Sequence, residues 1–241
     1  MRLQKTAECD IIKPMKELFT AYGISLSEEQ NQKFTAFREI LIAENAKYNL
    51  TSITETAEIN VKHFLDSAMG AYAFAQNARV VEIGSGGGFP SVPLMILRPD
   101  LQFTLVESVG KKCAFLNLVI QELGLKATVI QARAEELSRL KEYREVFDHA
   151  TARAVARMNT LSEYCLPFVK VGGSFVAYKG DAEEELSEAT RAVALLGGEI
   201  KQVKKYVLDG AGQRTLIEVY KKSHTDAKYP RGRGKERSKP L

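Results

Sequence analysis

The run Val80-Val81-Glu82-Ile83-Gly84-Ser85-Gly86-Gly87-Gly88-Phe89-Pro90 carries the densest chemical signal in the chain. A stretch of β-propensity meets glycines at alternate positions, and an apolar pattern at helical spacing resumes with Val92, Leu94, Met95 and Leu97. The spacing predicts strand, tight turn and helix. Glycine is required where the backbone turns with positive φ or lets a ligand touch the main chain, and a helix start offers unpaired N–H groups. A ligand is therefore expected on this loop. Two carboxylates accompany it: Glu82 just before the turn, and Glu107 at the end of the next apolar run, Phe103-Thr104-Leu105-Val106. A carboxylate at a neighbouring strand tip is suited to accept hydrogen bonds from ribose hydroxyls. Phe89 stands where the third glycine of a Gly-x-Gly-x-x-Gly dinucleotide loop would fall, which disfavours a pyrophosphate-bearing ligand.

The elements that must position these residues follow from periodicity. Met15, Leu18, Phe19 and Tyr22 form one helical stripe, and Ser27-x-x-Gln30 makes a capping box ahead of a second, Phe34, Phe37, Ile40 and Leu41. Tyr48 to Ile53 breaks the helical pattern. His63 and Asp66 then sit three apart, on one face of a helix, where a local hydrogen bond accounts for them. From Arg79 onward strands and helices alternate, which implies parallel pairing with right-handed crossovers. Ala134 and Glu135, in Arg133-Ala134-Glu135-Glu136, lie just past the third strand, where ligand contacts gather in open α/β sheets, although a capping role also explains the acids. Arg153 is expected at the carboxyl end of strand four, beside the glycine-loop strand. Strand five ends in Lys179-Gly180. Lys201 to Leu208 and Arg214 to Val219 flank Asp209-Gly210-Ala211-Gly212 and read as an antiparallel hairpin.

Composition narrows the class. The 241 residues, 45% hydrophobic and 27% charged, fit one full domain with an extension. No apolar run approaches a membrane span and Met1 to Thr6 leads into no signal-peptide core, so a cytoplasmic protein without membrane contact is expected. Cys9, Cys113 and Cys165 form no Cys-x-x-Cys pair and the three histidines are scattered, so reduced thiols and no metal are expected. The net charge of +4 is unevenly spread: residues 221–241 hold eight Lys/Arg against Asp226 and Glu236, leaving the rest at −2. A concentrated basic tail, the only linker-like stretch, points to a polyanion partner or to a solvated, solubilising end. We divide the chain into an N-terminal helical extension (1–72), a Rossmann-like domain (73–222) and the basic tail (223–241).

The glycine loop followed by an acidic strand end resembles the first two motifs of class I S-adenosylmethionine-dependent methyltransferases. More narrowly, the chain resembles the bacterial 16S ribosomal RNA guanine-N7 methyltransferase family, also called glucose-inhibited division protein B. The carriers are Asn49-Leu50-Thr51-Ser52-Ile53, His63-Phe64-Leu65-Asp66-Ser67, Glu82 to Pro90, Glu107-Ser108 with Lys111-Lys112, Arg133 to Glu136, Ala152-Arg153-Ala154 and Tyr229-Pro230-Arg231. Here Glu stands at 82 and 107 where Asp is common, and Gly87 where Ala is usual. The resemblance implies a seven-stranded, mostly parallel sheet, a monomer, S-adenosyl-L-methionine as cofactor and 16S ribosomal RNA or the small ribosomal subunit as partner. It also implies cofactor contacts from Gly84, Phe89, Ala134, Glu135 and Arg153; Gly86 and Glu107 follow from the residue chemistry above. Phe89 equally fits a core position beneath the loop.

The remaining residues bear on the bond being made. Methylation at cytosine C5 needs a thiolate, and no cysteine falls at a strand tip. An exocyclic amine target typically brings Asn/Asp-Pro-Pro-aromatic after strand four, where this chain reads Thr151-Ala152-Arg153-Ala154. Guanine N7 bears an in-plane lone pair and needs no general base, so positioning, by residues such as Arg153 and Lys179, suffices. For RNA we single out Lys111 and Lys112, cations at a helix start that the helix dipole disfavours, with Arg231 and Arg233 of the tail; solvated lysines explain the first pair equally. Two other readings remain open: a nucleotide-dependent oxidoreductase and a non-catalytic RNA-binding module of the same fold.

Overall fold

In a computed structural model, which describes residues 13–241, the glycine run joins a buried strand to a helix. The first elements are α1 (Met15–Thr20) and α2 (Glu28–Tyr48). Ser27 caps α2 reciprocally with Gln30, whose side chain also donates to the Ile96 carbonyl at 3.2 Å. The cap that starts the helix thus also fastens it to the glycine-loop domain. After α3 (Thr56–Glu58) the helix widens into a π-helical turn, Ile59–Leu65, before α4 (Asp66–Ala68).

The alternating core comprises β1 (Arg79–Ile83), α5 (Ser91–Leu97), β2 (Gln102–Glu107), α6 (Gly110–Glu122), β3 (Ala127–Gln131), α7 (Ala134–Leu137), β4 (Phe147–Arg153), α8 (Met158–Cys165), β5 (Val169–Lys179) and α9 (Glu183–Leu195). Two long strands follow, β6 (Gly198–Leu208) and β7 (Gly212–Lys221), and then a single turn, α10 (Lys235–Ser238). The seven strands form one sheet in the order β3-β2-β1-β4-β5-β7-β6, parallel except where β7 meets β5 and β6. Parallel strands are buried on both faces; β1 accordingly has four successive buried residues after Arg79.

The expected hairpin forms with longer arms, and its returning strand is inserted between β5 and β6. Burial explains the order. β7 carries Leu216, Ile217 and Val219, which need cover on both faces, whereas β6 places Lys201, Lys204 and Lys205 along the outer edge, where lysines discourage pairing with another chain.

One face of the sheet is covered by the N-terminal helices with α5 and α6. Its centre is an aromatic cluster in which Phe34, Phe37 and Phe64 are wholly buried and Phe37 lies 5.4 Å from Phe89. Each such ring contributes about 1.5–3 kcal/mol by leaving water. The other face is covered by α8, α9 and the chain's end, with Phe168, Phe175 and Tyr229 in its core. Cys113 and Cys165 are buried free thiols; Cys9 lies outside the described residues. No helix among the described residues is long and apolar enough to cross a membrane.

Candidate functional site

The loop between β1 and α5 uses its glycines for two purposes. Gly84, Gly86 and Gly88 all have positive φ, at +69°, +52° and +83°. A Cβ on Gly84 would lie 2.7 Å from Val155, and one on Gly88 2.6 Å from Val92, so these two allow close packing of β4's exit and of α5. At Gly86 the nearest atom to such a Cβ is the Gly84 carbonyl oxygen, 3.7 Å away, so this glycine keeps its outer face open. Glu107, buried at the tip of β2, accepts from the Gly86 amide at 3.0 Å through one oxygen and from the Val109 amide at 2.8 Å through the other. The oxygen on Gly86 has that amide as its one partner and keeps a lone pair for a ligand hydroxyl, while the other also has the Ser108 hydroxyl at 3.5 Å. The carboxylate thus braces the open glycine and presents acceptors beside it.

Beyond that tip lies a cavity of about 170 Å³, bordered by Gly84, Ser108, Ala134, Glu135, Val155 and Tyr164. Of the residues singled out in the sequence, Gly84, Ala134 and Glu135 come together here, with Gly86 and Glu107 joined to them through the loop. A wall of backbone and apolar groups edged by Arg133, Glu135 and Arg237, with the Glu107 acceptors at the neighbouring strand tip, suits a nucleoside, so the residues present fit S-adenosylmethionine.

Arg153 and Phe89 stand on a second side. Arg153 ends β4, and its guanidinium donates to the Lys62 carbonyl at 2.9 Å, to Asp66 at 3.1 Å and to His63 Nδ1 at 3.0 Å. His63 and Asp66 therefore share a face, as their spacing implies, but their partner is Arg153, 90 residues from His63, instead of each other. Because arginine only donates, His63 Nδ1 must accept, and its Nε2–H then donates to Thr51 Oγ1 at 2.8 Å. Burial and the adjacent Arg153 charge hold the His63 pKa down at about 3, so the ring stays neutral. Phe89 is stacked on that ring at 4.3 Å and lies under Arg153 at 4.9 Å, while its opposite side joins the aromatic core. Phe89 thus occupies a core position that also touches His63 and Arg153, and it borders neither cavity.

Asp66 also accepts from the Tyr206 hydroxyl at 2.9 Å and lies 3.6 Å from Arg214 Nε. The hairpin thereby reaches the site, a contribution that no local sequence signal foreshadows. His63, Asp66, Arg153 and Arg214 line a cavity of about 290 Å³ with Ile53, Lys62, Tyr178 and Lys179. Lys179 is held by Glu185 at 2.6 Å and by the Ala156 carbonyl. Glu185 belongs to the acidic start of α9, which by sequence reads as a solvated face; here it sets the position of Lys179. Consecutive residues at β4's exit border the two cavities, Arg153 and Ala154 the one and Val155 the other.

Beneath the loop, Glu82 is fully buried. It accepts from Ser91 Oγ at 2.5 Å and from the Ser91 amide at 3.3 Å. Burial pushes its pKa up to about 7 against the pull of Ser91, Ser85 and Arg153. Glu82 fastens the start of α5 and does not border either cavity.

The cations singled out for RNA lie outside both cavities' floors. Lys111 is exposed and Lys112 half-buried on the first turn of α6. Arg233 is exposed, whereas Arg231 is bound at 2.8 Å to Glu163, which is wholly buried. Among the described residues no three His, Cys, Asp or Glu side chains gather as a metal site would require.

Comparison with known proteins bears on what this arrangement is. The family described as GidB, rRNA small subunit methyltransferase G, matches residues 30–217. This chain belongs to that family. Members named ribosomal RNA small subunit methyltransferase G include one from Lactobacillus johnsonii, 45% identical over 233 residues, covering 94% of this chain and 97% of that protein. Another, from Brevibacillus brevis, is 45% identical over 230 residues, covering 93% and 97% respectively. Among solved structures, a SAM-dependent O-methyltransferase from Thermotoga maritima superposes with a TM-score of 0.52 at 15% identity, covering 77% of this chain and 72% of that one. At that identity the likeness shows the fold, which is that of class I methyltransferases. The methyltransferase G match begins inside α2, so α1 precedes the matched segment.

Proposed function

We propose that the protein transfers a methyl group from S-adenosylmethionine to N7 of a guanine in 16S ribosomal RNA, acting as a monomer in the cytoplasm. Membership in the methyltransferase G family supports the reaction class. The observation that carries the reading is the open Gly86 beside the Glu107 carboxylate, two residues that together suit a ribose, with a second cavity across β4's exit for the acceptor base. The division into extension (1–72), domain (73–222) and tail (223–241) stands as part of this proposal.

The residues divide the work as follows. Glu107 would hold the ribose hydroxyls; Gly84, Gly86, Ala134 and Glu135 would form the cradle. The bound cofactor supplies an electrophilic methyl group on a sulfonium. Arg153 borders the second cavity with Phe89 packed beneath it, and it is held by three partners before any ligand arrives, so little ordering remains to be done on binding. The second cavity offers no free base: His63 is neutral and committed to Arg153 and Thr51, Asp66 is engaged by Arg153 and Tyr206, and Lys179 by Glu185. Burial raises the pKa of Cys113 and of Cys165, which disfavours thiolate chemistry at either. A site that orients without deprotonating suits an acceptor that already carries a lone pair, as guanine N7 does. Lys111, Lys112 and Arg233 are the cations we assign to the RNA backbone, with Lys179 a positioning residue; Arg231, also expected there, is committed to Glu163 and anchors the tail instead.

The test is transfer of tritiated methyl from S-adenosylmethionine to 16S RNA or to small subunits, followed by primer extension after cleavage at N7-methylguanine. A single cleavage-sensitive guanine is expected. Label at a pyrimidine or an exocyclic amine would overturn the N7 assignment, and no label from a chain that binds the cofactor would favour a non-catalytic RNA-binding module.

A further inference from the structure

The last residues of the chain, by composition a basic linker, follow a fixed path over α7 and α8. The path begins at Lys221, wholly buried at the end of β7, whose ammonium donates to the Leu166 carbonyl at 2.7 Å and lies 3.0 Å from Glu145. Arg144 then gathers three carbonyls of the segment, those of Thr225 at 2.8 Å, Asp226 at 3.2 Å and Tyr229 at 3.0 Å. Further on, Arg231 holds both oxygens of the buried Glu163, at 3.0 and 2.8 Å, and Thr160 donates to the Glu236 carbonyl at 2.7 Å. Buried charges are tolerated only when paired, so this is a specified course.

The course ends at the nucleoside cavity. Gly234 and Arg237 form part of its wall, together with Ala134 and Glu135. Gly234 has φ of +72° and no atom within 4 Å of where a Cβ would stand, so its backbone borders open space. Arg237 reaches the same wall: its guanidinium lies 3.5 Å from the Val155 carbonyl, and it moderates the raised pKa of the buried Tyr164 hydroxyl. Beneath, Glu236 is fully buried with one carboxylate oxygen on the Gly232 amide and the other, Oε2, without a partner. The turn is thus held down on one side by Glu236 and exposes the other to the cavity.

We propose that residues 229–238 are a wall of the cofactor site, that Arg237 positions the purine end of the cofactor, and that cofactor binding in turn fixes the tail's outward cations for RNA phosphates. The inference rests on the cofactor reading above. The purine is assigned to this cavity because Glu107 marks the ribose, and Arg153 with the acceptor cavity lies on the other side of β4's exit, where the transferable methyl must face. A planar guanidinium suits a purine, which it can cover or to which it can donate. Arg233, Lys235 and Lys239 are exposed on the same segment, so a tail held by bound cofactor presents them in one arrangement. Their phosphate contacts would add to affinity through counterion release.

The experiment titrates S-adenosylhomocysteine calorimetrically into the full chain and into its Arg237→Ala and Lys228→Ala variants, and follows tryptic cleavage after Arg233, Lys235 and Arg237 with and without that ligand. We expect Arg237→Ala to bind at least ten-fold more weakly at an unchanged melting temperature, Lys228→Ala to bind as the natural chain does, and the ligand to slow cleavage of the natural tail at least five-fold. Equal affinity of Arg237→Ala and the natural chain, or cleavage indifferent to bound ligand, overturns the inference and leaves the cofactor reading standing. If the natural chain itself binds no S-adenosylhomocysteine, the cofactor reading fails first.

Discussion

The Arg153 guanidinium carbon sits 4.9 Å from the centre of the Phe89 ring, so the last residue of β4 lies on the residue that follows the glycines. The two segments are brought side by side by the parallel pairing of β1 with β4, in which Val80 faces His149 and Glu82 faces Thr151, and His63 bridges them by touching both residues. Sheet register thereby fixes the relation between the glycine loop and the cavity beside Arg153.

Phe89 packs in the core and under Arg153 at once, and size and aromaticity can be separated there. Phe89→Ala should lose about 3–5 kcal/mol of stability by opening a cavity next to Phe37 and His63. Phe89→Leu should retain most of that stability yet lose the ring under Arg153, lowering methyl transfer by at least ten-fold. Denaturant unfolding and initial rates on the two variants decide it; equal activity of Phe89→Leu and the natural chain would remove the ring from the site.

Arg153→Ala should abolish methyl transfer while the protein remains folded. The buried Asp66 keeps Tyr206 and Arg214, so the loss of stability is limited to about 1–3 kcal/mol. Rates with a melting curve on the same sample check both halves; undiminished transfer removes Arg153 from the site.

Gly86→Ala separates folding from binding. Positive φ costs an alanine about 1–2 kcal/mol, but no steric obstacle stands near its Cβ, so the variant should fold. The added methyl would occupy the ligand's side of the loop, and cofactor affinity should fall at least ten-fold by calorimetry. Gly84→Ala, whose Cβ would lie 2.7 Å from Val155, should by contrast lose soluble expression or several degrees of melting temperature.

Two buried groups give opposing pH dependences. Glu82 is raised from 4.5 to about 7, so the stability it confers is complete below pH 4.5 and is lost as pH rises through about 7. His63 is lowered from 6.5 to about 3, so its contribution is present above pH 6.5 and is lost as pH falls toward 3. Between pH 4.5 and 6.5 the two slopes oppose each other. Glu82→Gln removes the first, and relative to the natural chain its stability should fall by about 3 kcal/mol on acidification from neutrality to pH 4.5. Parallel pH-dependent unfolding curves for the two proteins would contradict the protonated Glu82.

Replacing Lys111 and Lys112 together by alanine should weaken RNA binding uniformly across sequences and lower the slope of log K against log salt by about 0.7 for each phosphate that is no longer neutralised. An unchanged slope, measured by fluorescence anisotropy, would mark the pair as ordinary solvated lysines.

The β1-to-α5 segment was legible because glycine spacing and hydrophobic period switch together at one place, and Glu107 because a strand's end shows where its side chain emerges. The strand order at β7 was not: both arms of the hairpin alternate, and only the buried Ile217 and Val219 distinguish the inner from the outer. His63 and Asp66 were visible as a pair on one face, while their partner lay in a strand that only the folded sheet brings near. The tail misleads most, because its charge pattern is that of a solvated end while its anchors, Glu163, Thr160 and Arg144, are uninformative in their own neighbourhoods. Long-range pairings of this kind leave no periodic trace.

β7, the final strand to be synthesised, is an interior one, hydrogen-bonded to β5 from Ser174 to Lys179 and to β6 along nearly its whole length. A nascent chain cannot complete its sheet until Lys221 has left the ribosome that is making it. A message cut short upstream leaves β5 and β6 each with a bare, hydrogen-bond-hungry margin, a product fit for degradation or aggregation.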